Sequence, residues 1–331
     1  MTATTFPQRE AHTSLMEGHA RSDLTPPRHG QRLERRRRRV RRGCRNLVVL
    51  ALLLCCFAIV LAFGSVNLLG ERVNVLLLGL DRRPGEGDAV RADTIMVVSA
   101  SARVPEIGLL SIPRDLYLLI PGQGENRINT AHIFGELDTP GGGPDRTAGA
   151  IMQNFGVVLD GWVRVDFDGF KAVVDALGGV EIDVPRAIAD AAYPTEDYGT
   201  MKVTIPAGLQ EMDGERALQY ARSRHGTSDF DRADRQQLVV QAMLRKMFQP
   251  STWPRLPALL RAFEGAVETD LSLLQLARLG AAALRVGPDG MDRLVIDQEL
   301  VESYVTPAGA AVLLPRWELV RPLVGQILKN D

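Results

Sequence analysis

The stretch VNVLLLGL, Val73 to Leu80, is a short continuous apolar run that gives way at once to Asp81. Such a run suits a β-strand buried on both faces. TIMVVSAS (94–101) and EIGLLSIP (106–113) follow closely and read as neighbouring strands. Beyond them strand and helix signals alternate. DRTAGAIMQNFGV (145–157) is helical, GWVRVDF (161–167) is a strand, DGFKAVVDALGG (168–179) is a helix closed by two glycines, and VEIDVP (180–185) is a strand. After a polar stretch, GERALQYAR (214–222) carries a helix signal and RADRQQLVVQAMLRKMF (232–248) is a clear amphipathic helix. The rest reads as helices over 254–267 and 271–285, a strand near 294–296 and a last helix near 315–328. This alternation predicts an α/β layer fold. No repeat or compositional break divides it, so residues 70–331 are expected to form one domain.

Upstream, Leu47 to Phe63 (LVVLALLLCCFAIVLAF) is seventeen residues without a charge, and GSVNLLG extends it to Gly70. That length crosses a hydrocarbon core of about 30 Å as a helix. RLERRRRRVRRGCR flanks it on one side only. By the positive-inside rule residues 1–46 are a cytoplasmic, disordered basic tail, 47–69 a single transmembrane signal-anchor, and everything beyond is outside. The net charge of −1 hides this asymmetry. Residues 1–46 hold twelve arginines against four acids, a balance of +8, and the remainder carries −9. An arginine tract directly before a membrane span serves topology and anionic lipid, so no nucleic-acid partner is expected. Cys44, Cys55 and Cys56 all lie in or beside the apolar run, which leaves the outer domain without a disulfide framework, cysteine metal site or thiol nucleophile.

The outer domain shows no P-loop, no G-x-S-x-G elbow, no H-E-x-x-H and no zinc spacing. What remains is a set of aspartates and arginines at strand ends. Asp81 follows the buried strand at the position where open α/β sheets place ligand groups. Asp93 lies just ahead of the next strand, with Arg83 and Arg91 nearby. Two carboxylates joined by a strand–loop–strand connection suffice for one Mg2+, which takes few protein oxygens plus substrate phosphates; a salt-bridged loop is the plainer alternative. SIPRDLYLLIPG leaves Arg114 and Asp115 side by side at a strand edge. YARSRHGTSDFDRADRQQ (220–237) packs four arginines and three aspartates. In it Arg232, Arg235 and Gln236 sit at i, i+3, i+4 on one helix face, Asp229 falls one turn earlier, and Arg222 and Arg224 approach from the preceding segment, on the same side if that segment is extended. Guanidinium groups near a helix N-terminus match phosphate oxygens.

The ordered blocks LLGLDRR, RADTIM, LLSIPRDLYLLIPGQGENRINTA, VDFDGFKAVVDALGGVEIDV and YARSRHGTSDFDRADRQQ resemble the LytR-CpsA-Psr family. The resemblance implies a membrane-anchored protein of the bacterial cell membrane, N-terminus cytoplasmic. Its outer domain is implied to be a three-layer α/β/α fold with a mixed central sheet. The implied activity moves a glycopolymer from a polyprenyl-pyrophosphate carrier to a peptidoglycan hydroxyl, with Mg2+, replaceable by Mn2+, as cofactor. It makes Asp81 and Asp93 the metal-supporting carboxylates. Arg114, Arg222, Arg224, Arg232 and Gln236 become pyrophosphate ligands, Arg83 and Arg91 part of the same polar rim, and Asp229 an orienter of the arginines. Arg235 is left as structural. The chain departs from the family pattern at Arg82, where a small polar residue is common, at Arg127, often Lys, and at His132, often aromatic; His132 is expected to be an ordinary surface histidine. The rival readings are a polyprenyl-pyrophosphate hydrolase using the same site with water, a membrane-bound transcriptional attenuator, and an inert glycan-binding module.

Overall fold

Strand β1, Val73–Leu80, lies inside a six-stranded sheet. It pairs in parallel with β6 (Gly161–Asp166) and antiparallel with β2 (Ala92–Ser101). β2 pairs antiparallel with β3 (Glu106–Ser111), β3 in parallel with β12 (Met291–Val295), and β11 (Val267–Thr269) closes the other edge antiparallel to β6. The order β11-β6-β1-β2-β3-β12 makes the sheet mixed. The computed structural model describes residues 71–82, 86–195, 198–223 and 228–329, so the tail and apolar segment expected over 1–69 lie outside the described residues. Among the described residues no helix is long and apolar enough to cross a membrane.

The two-residue period of β1 explains the layers. Leu76, Leu78 and Leu80 point to one face, where they join Ile151, Val320 and Val324 in the largest apolar cluster. That face is covered by helices α1 (Asn129–Asp138), α2 (Gly143–Phe155) and α8 (Trp317–Leu328). Val73, Val75 and Leu77 point to the other face, over which lie α3 (Phe167–Leu177), α5 (Asp229–Phe248) and α7 (Leu273–Val286). The strand is thus buried on both sides, as its unbroken apolar run predicts. Gly108 of β3 lets α8 sit tightly on the sheet: a Cβ there would lie 2.1 Å from the Ile327 carbonyl oxygen.

The expected helices and strands are present within a few residues, but several elements have no counterpart in the sequence reading. β4 (Tyr117–Ile120) and β5 (Gly124–Arg127) form a hairpin, turned by Gly122 at φ 77°, before α1. The stretch expected to be merely polar is a hairpin of β8 (Ile188–Pro194) and β9 (Thr200–Ile205). β7 (Val180–Val184) pairs with β10 (Gly208–Met212) rather than with the central sheet. β13 (Val301–Val305) and β14 (Ala311–Pro315) form a last hairpin ahead of α8. These strands are short and mostly wet on one face. In β9, for instance, only Val203 and Ile205 are buried, which leaves little apolar pattern to read.

Candidate active site

The β1–β2 ladder carries an irregularity where the candidate carboxylates sit. Gly79 pairs with Thr94 and Leu80 with Ala92, so the register skips Asp93. A bulge of this kind bends the strand and re-aims the extra side chain. Asp81 follows Leu80 directly and continues the alternation of Val75, Leu77 and Gly79, toward the face of α3, α5 and α7. Arg82 takes the opposite face.

Asp93 accepts a 3.0 Å hydrogen bond from Arg114 Nη1. Arg114 stands at the end of β3 and is ringed by carboxylates: Asp115 is 3.4 Å from Nε and Asp229 3.7 Å from Nη2. Burial alone would lower the Arg114 pKa, but Asp93, Asp229 and Asp115 together raise it, so the guanidinium stays charged. Helix α5 supplies the opposing wall. Ser228 caps it through a reciprocal box with Asp231, which starts the helix at Asp229. Asp229, Arg232 and Gln236 then fall on one face, and Arg232 Nη1 lies 3.0 Å from Asp229 Oδ1. Asp93, Arg114, Asp115, Asp229, Arg232 and Gln236 line one pocket, floored by Ile95 and Ile112.

Asp81 lies next to this pocket with Arg222 for company. Arg222, the last residue of helix α4 (Gly214–Arg222), approaches Asp81 Oδ2 to 3.6 Å and lies over the Phe167 ring at 3.8 Å and the Tyr193 ring at 5.5 Å. Stacking on two rings fixes a guanidinium plane without using its donors. The other Asp81 oxygen, Oδ1, is buried and has no hydrogen-bond partner among the described residues. A buried carboxylate oxygen without a donor is costly unless a cation meets it, so Asp81 with Asp93 suits a hard divalent ion. Among the described residues no group of three or more His, Cys, Asp or Glu gathers to hold a metal.

The structure therefore brings together Asp93, Arg114, Asp229, Arg232 and Gln236, with Asp81 and Arg222 paired alongside. Arg83 and Arg224 lie outside the described residues. Arg91 is exposed ahead of β2 and does not line the pocket. The face expected to be shared by Arg232, Arg235 and Gln236 is split. Arg235 is buried and turns toward the end of α4, donating to the Tyr220 carbonyl at 3.0 Å and to the Ser223 carbonyl. Its neighbour Gln237, unmarked in the sequence reading, is buried and donates to Ser111 Oγ and the Leu294 carbonyl, both at 2.9 Å. Gln237 thus pins α5 to β3 and β12 and holds the arginine face in register.

The LytR_cpsA_psr family model matches residues 64–314. The chain belongs to the LytR-CpsA-Psr family. Among its relatives, the polyisoprenyl-teichoic acid–peptidoglycan teichoic acid transferase TagU of Oceanobacillus iheyensis is 34% identical over 211 residues, 63% of this chain and 62% of its own. The transferase TagT of Bacillus subtilis is 32% identical over 206 residues, 61% of each chain. The regulatory protein MsrR of Staphylococcus aureus is 30% identical over 203 residues, 60% of this chain and 57% of its own. The crystal structure of B. subtilis TagV aligns over 79% of this chain and 99% of that one, with a TM-score of 0.61 at 25% identity. TagT bound to LIIa-WTA aligns over 80% and 93%, with a TM-score of 0.62 at 25% identity. The chain spans about three fifths of the length of the first two relatives.

The three departures of this LytR-CpsA-Psr chain have definite places. Arg127 faces Asp115 at 3.4 Å and donates to the Ala311 carbonyl at 2.7 Å, so it braces the pocket wall from behind. Arg82 turns to the far face of the sheet and pairs with Asp166 at 2.5 Å. His132 is not a surface histidine. It is fully buried on α1, with Nδ1 2.8 Å from the Val90 carbonyl. The long polar approach to α1 disguised a helix whose first four residues are all buried.

Proposed function

We propose that this protein transfers a glycopolymer from a polyprenyl-pyrophosphate carrier to a peptidoglycan hydroxyl, with Mg2+ as cofactor. The observation that carries the reading is the single pocket in which Asp93, Arg114, Asp229, Arg232 and Gln236 converge beside the Asp81–Arg222 pair. The names of relatives at 34% and 32% identity point the same way, since both are polyisoprenyl-teichoic acid–peptidoglycan teichoic acid transferases. On this reading residues 47–69 anchor the chain in the membrane and hold the domain outside, beside lipid-linked donor and wall.

Arg114 and Arg232 grip the pyrophosphate oxygens from two walls, and Gln236 adds an amide donor. Arg222, stacked on Phe167, presents its donors from the third side. Asp229 holds both pocket arginines in place, so their charge is preorganised where negative charge grows. Asp81 and Asp93 are the residues that would hold Mg2+, which supplies charge neutralisation on the pyrophosphate. The acceptor hydroxyl oxygen forms the new bond to phosphorus, the P–O bond to the polyprenyl phosphate breaks, and the hydroxyl proton passes to solvent. The polymer stays joined through a phosphodiester.

Incubating full-length protein in bilayers with radiolabelled lipid-linked donor, with and without peptidoglycan, tests the reading. Label is expected in the peptidoglycan fraction only when peptidoglycan is present. Label recovered solely as free sugar phosphate in both reactions replaces the transferase by a hydrolase.

A further inference from the structure

Helix α7, LLQLARLGAAALRV, carries three polar side chains in fourteen residues, and each is tied to the body of the domain. Gln275 Nε2 donates to the Asp160 carbonyl at 2.7 Å, just ahead of β6. Arg278 Nη2 meets Glu71 at 2.5 Å, just ahead of β1. Arg285 Nη1 donates to the Ala102 carbonyl at 2.5 Å, just past β2. Asp160, Glu71 and Ala102 stand at one end of the sheet, since Val75 pairs with Gly161 and Val73 with Ala100. α7 therefore crosses that end, and the pocket lies at the other, where β3 stops at Ser111.

What α7 turns outward is apolar. Leu273, Leu276, Gly280 and Leu284 fall at i, i+3, i+7 and i+11 on one stripe, and the three leucines are 58%, 41% and 42% exposed. On its inner side Ala281 and Ala282 are buried with Met96 and Leu109 of the sheet. A surface helix in water keeps charge on its outer side, whereas a helix apolar all round is buried in something.

Two observations identify what covers the stripe. The apolar segment of the sequence ends at Leu69, two residues before Glu71. Two residues reach about 7 Å at most, and Glu71 is ion-paired to the middle of α7. The stripe also offers no aromatic ring, no charge and no hydrogen-bonding side chain. Protein interfaces concentrate their energy in Trp, Tyr and Arg and make about one hydrogen bond per 100–200 Å². Hydrocarbon asks only for apolar surface. The β2–β3 turn beside Arg285 adds exposed Val104 and Arg103, an apolar and a basic side chain together, as suits a bilayer surface.

We propose that the stripe of Leu273, Leu276 and Leu284 lies in the surface of the lipid bilayer and seats the domain there. It rests on the reading that residues 47–69 cross the membrane, and it gives the domain a second hold on the lipid phase that carries the donor.

The test uses full-length protein with Cys44→Ala, Cys55→Ala and Cys56→Ala and one new cysteine, Leu276→Cys or Leu284→Cys, labelled with the fluorophore NBD. Leu137→Cys, at an exposed position of α1 in the other helix layer, is the control. The proteins are reconstituted in vesicles of phosphatidylglycerol and phosphatidylethanolamine, and thermal unfolding verifies their fold. At 276 and 284 emission is expected to be several-fold brighter than at 137, quenched by lipids with a nitroxide on the acyl chain, and resistant to aqueous iodide. At 137 iodide quenches and the nitroxide lipid does not. If the protein floats with the vesicles but iodide reaches 276 and 284 as freely as 137, the seat is overturned and the anchor stands. Protein that does not float with the vesicles overturns anchor and seat together. Emission that follows the protein-to-lipid ratio and ignores nitroxide lipid assigns the stripe to a second copy of the chain, which also overturns the proposal.

Discussion

Replacing Arg114 by alanine tests the anion site at its most crowded point. The side chain is buried to about four fifths and touches three carboxylates, at 3.0, 3.4 and 3.7 Å. Its loss removes one positive charge from the pocket and leaves Asp93, Asp115 and Asp229 facing the ligand with less compensation. For a phosphate charge about 5 Å away at an effective dielectric of about 20, Coulomb's law gives about 3 kcal/mol. Residual solvent access and salt reduce that to about 2 kcal/mol, or roughly 30-fold in Kd. Arg114→Lys keeps the charge but not the planar fork and should lose about tenfold. Calorimetric titration of inorganic pyrophosphate in Mg2+ reads both, with thermal unfolding as the control for folding. The gap between native and Arg114→Ala should narrow as salt rises, since part of it is screened charge. A folded Arg114→Ala protein that binds pyrophosphate within twofold of native refutes the assignment of Arg114 to the anion grip.

Three further outcomes concern stability. Arg235→Met strips donors from the Tyr220 and Ser223 carbonyls at the end of α4, so calorimetry should show a loss of about 1–3 kcal/mol with pyrophosphate affinity kept within twofold; an unchanged Tm contradicts its structural role. Gly108→Ala pushes a methyl into the Ile327 carbonyl and should cost about 1–3 kcal/mol, with faster hydrogen exchange along α8; slow exchange there would show that the helix has room to shift. Burial holds the His132 imidazole below its ordinary pKa, outweighing the Val90 carbonyl and Glu136, which raise it. The unfolded chain then takes up a proton near about pH 6.5 that the folded one refuses, so stability is full above that pH and falls as pH drops below it. Urea unfolding at pH 7.5 and 5.5 should show a smaller acid-side loss for His132→Gln than for the native chain, and equal losses would remove His132 as the cause.

How legible the fold was depended on how much each segment buries. β1 declared itself because both of its faces are covered, and α5 because apolar residues such as Leu238, Met243 and Met247 recur along it at helical spacing. β4, β5, β8 and β9 did not, since β4, β8 and β9 bury only two or three side chains each and β5 buries none. α1 begins after Ile128 with no side-chain cap, so the usual start signal is missing. In the site, it was the ordered family blocks that singled out Asp81, Asp93, Arg114, Arg222, Asp229, Arg232 and Gln236, together with Arg83, Arg91 and Arg224; of these Arg91 does not line the pocket. Two features could not be read from one chain. The bulge that frees Asp93 is a property of register between two strands. The turning of Arg235 away from Arg232 follows from where α4 ends, and spacing alone puts both on one face.

The balance of charge in this site has a mechanical origin. An arginine left in water swings through many rotamers, and ordering it on binding costs up to about 2 kcal/mol. Asp229 removes that cost in advance by holding Arg232 at 3.0 Å and Arg114 at 3.7 Å, and Asp93 does the same from the other wall. The carboxylates weaken ground-state attraction for a phosphate while fixing the guanidinium planes before it arrives. A preorganised site of that kind favours the state in which ligand charge is greatest, since rigid dipoles and charges cannot relax to suit a weaker one. Asp81 breaks the pattern. Among the described residues no donor meets its buried Oδ1, and Arg222 approaches the other oxygen. Among the described residues of the cluster it is the acid with a buried oxygen that no donor meets, which makes it the point where an external cation has the most to contribute.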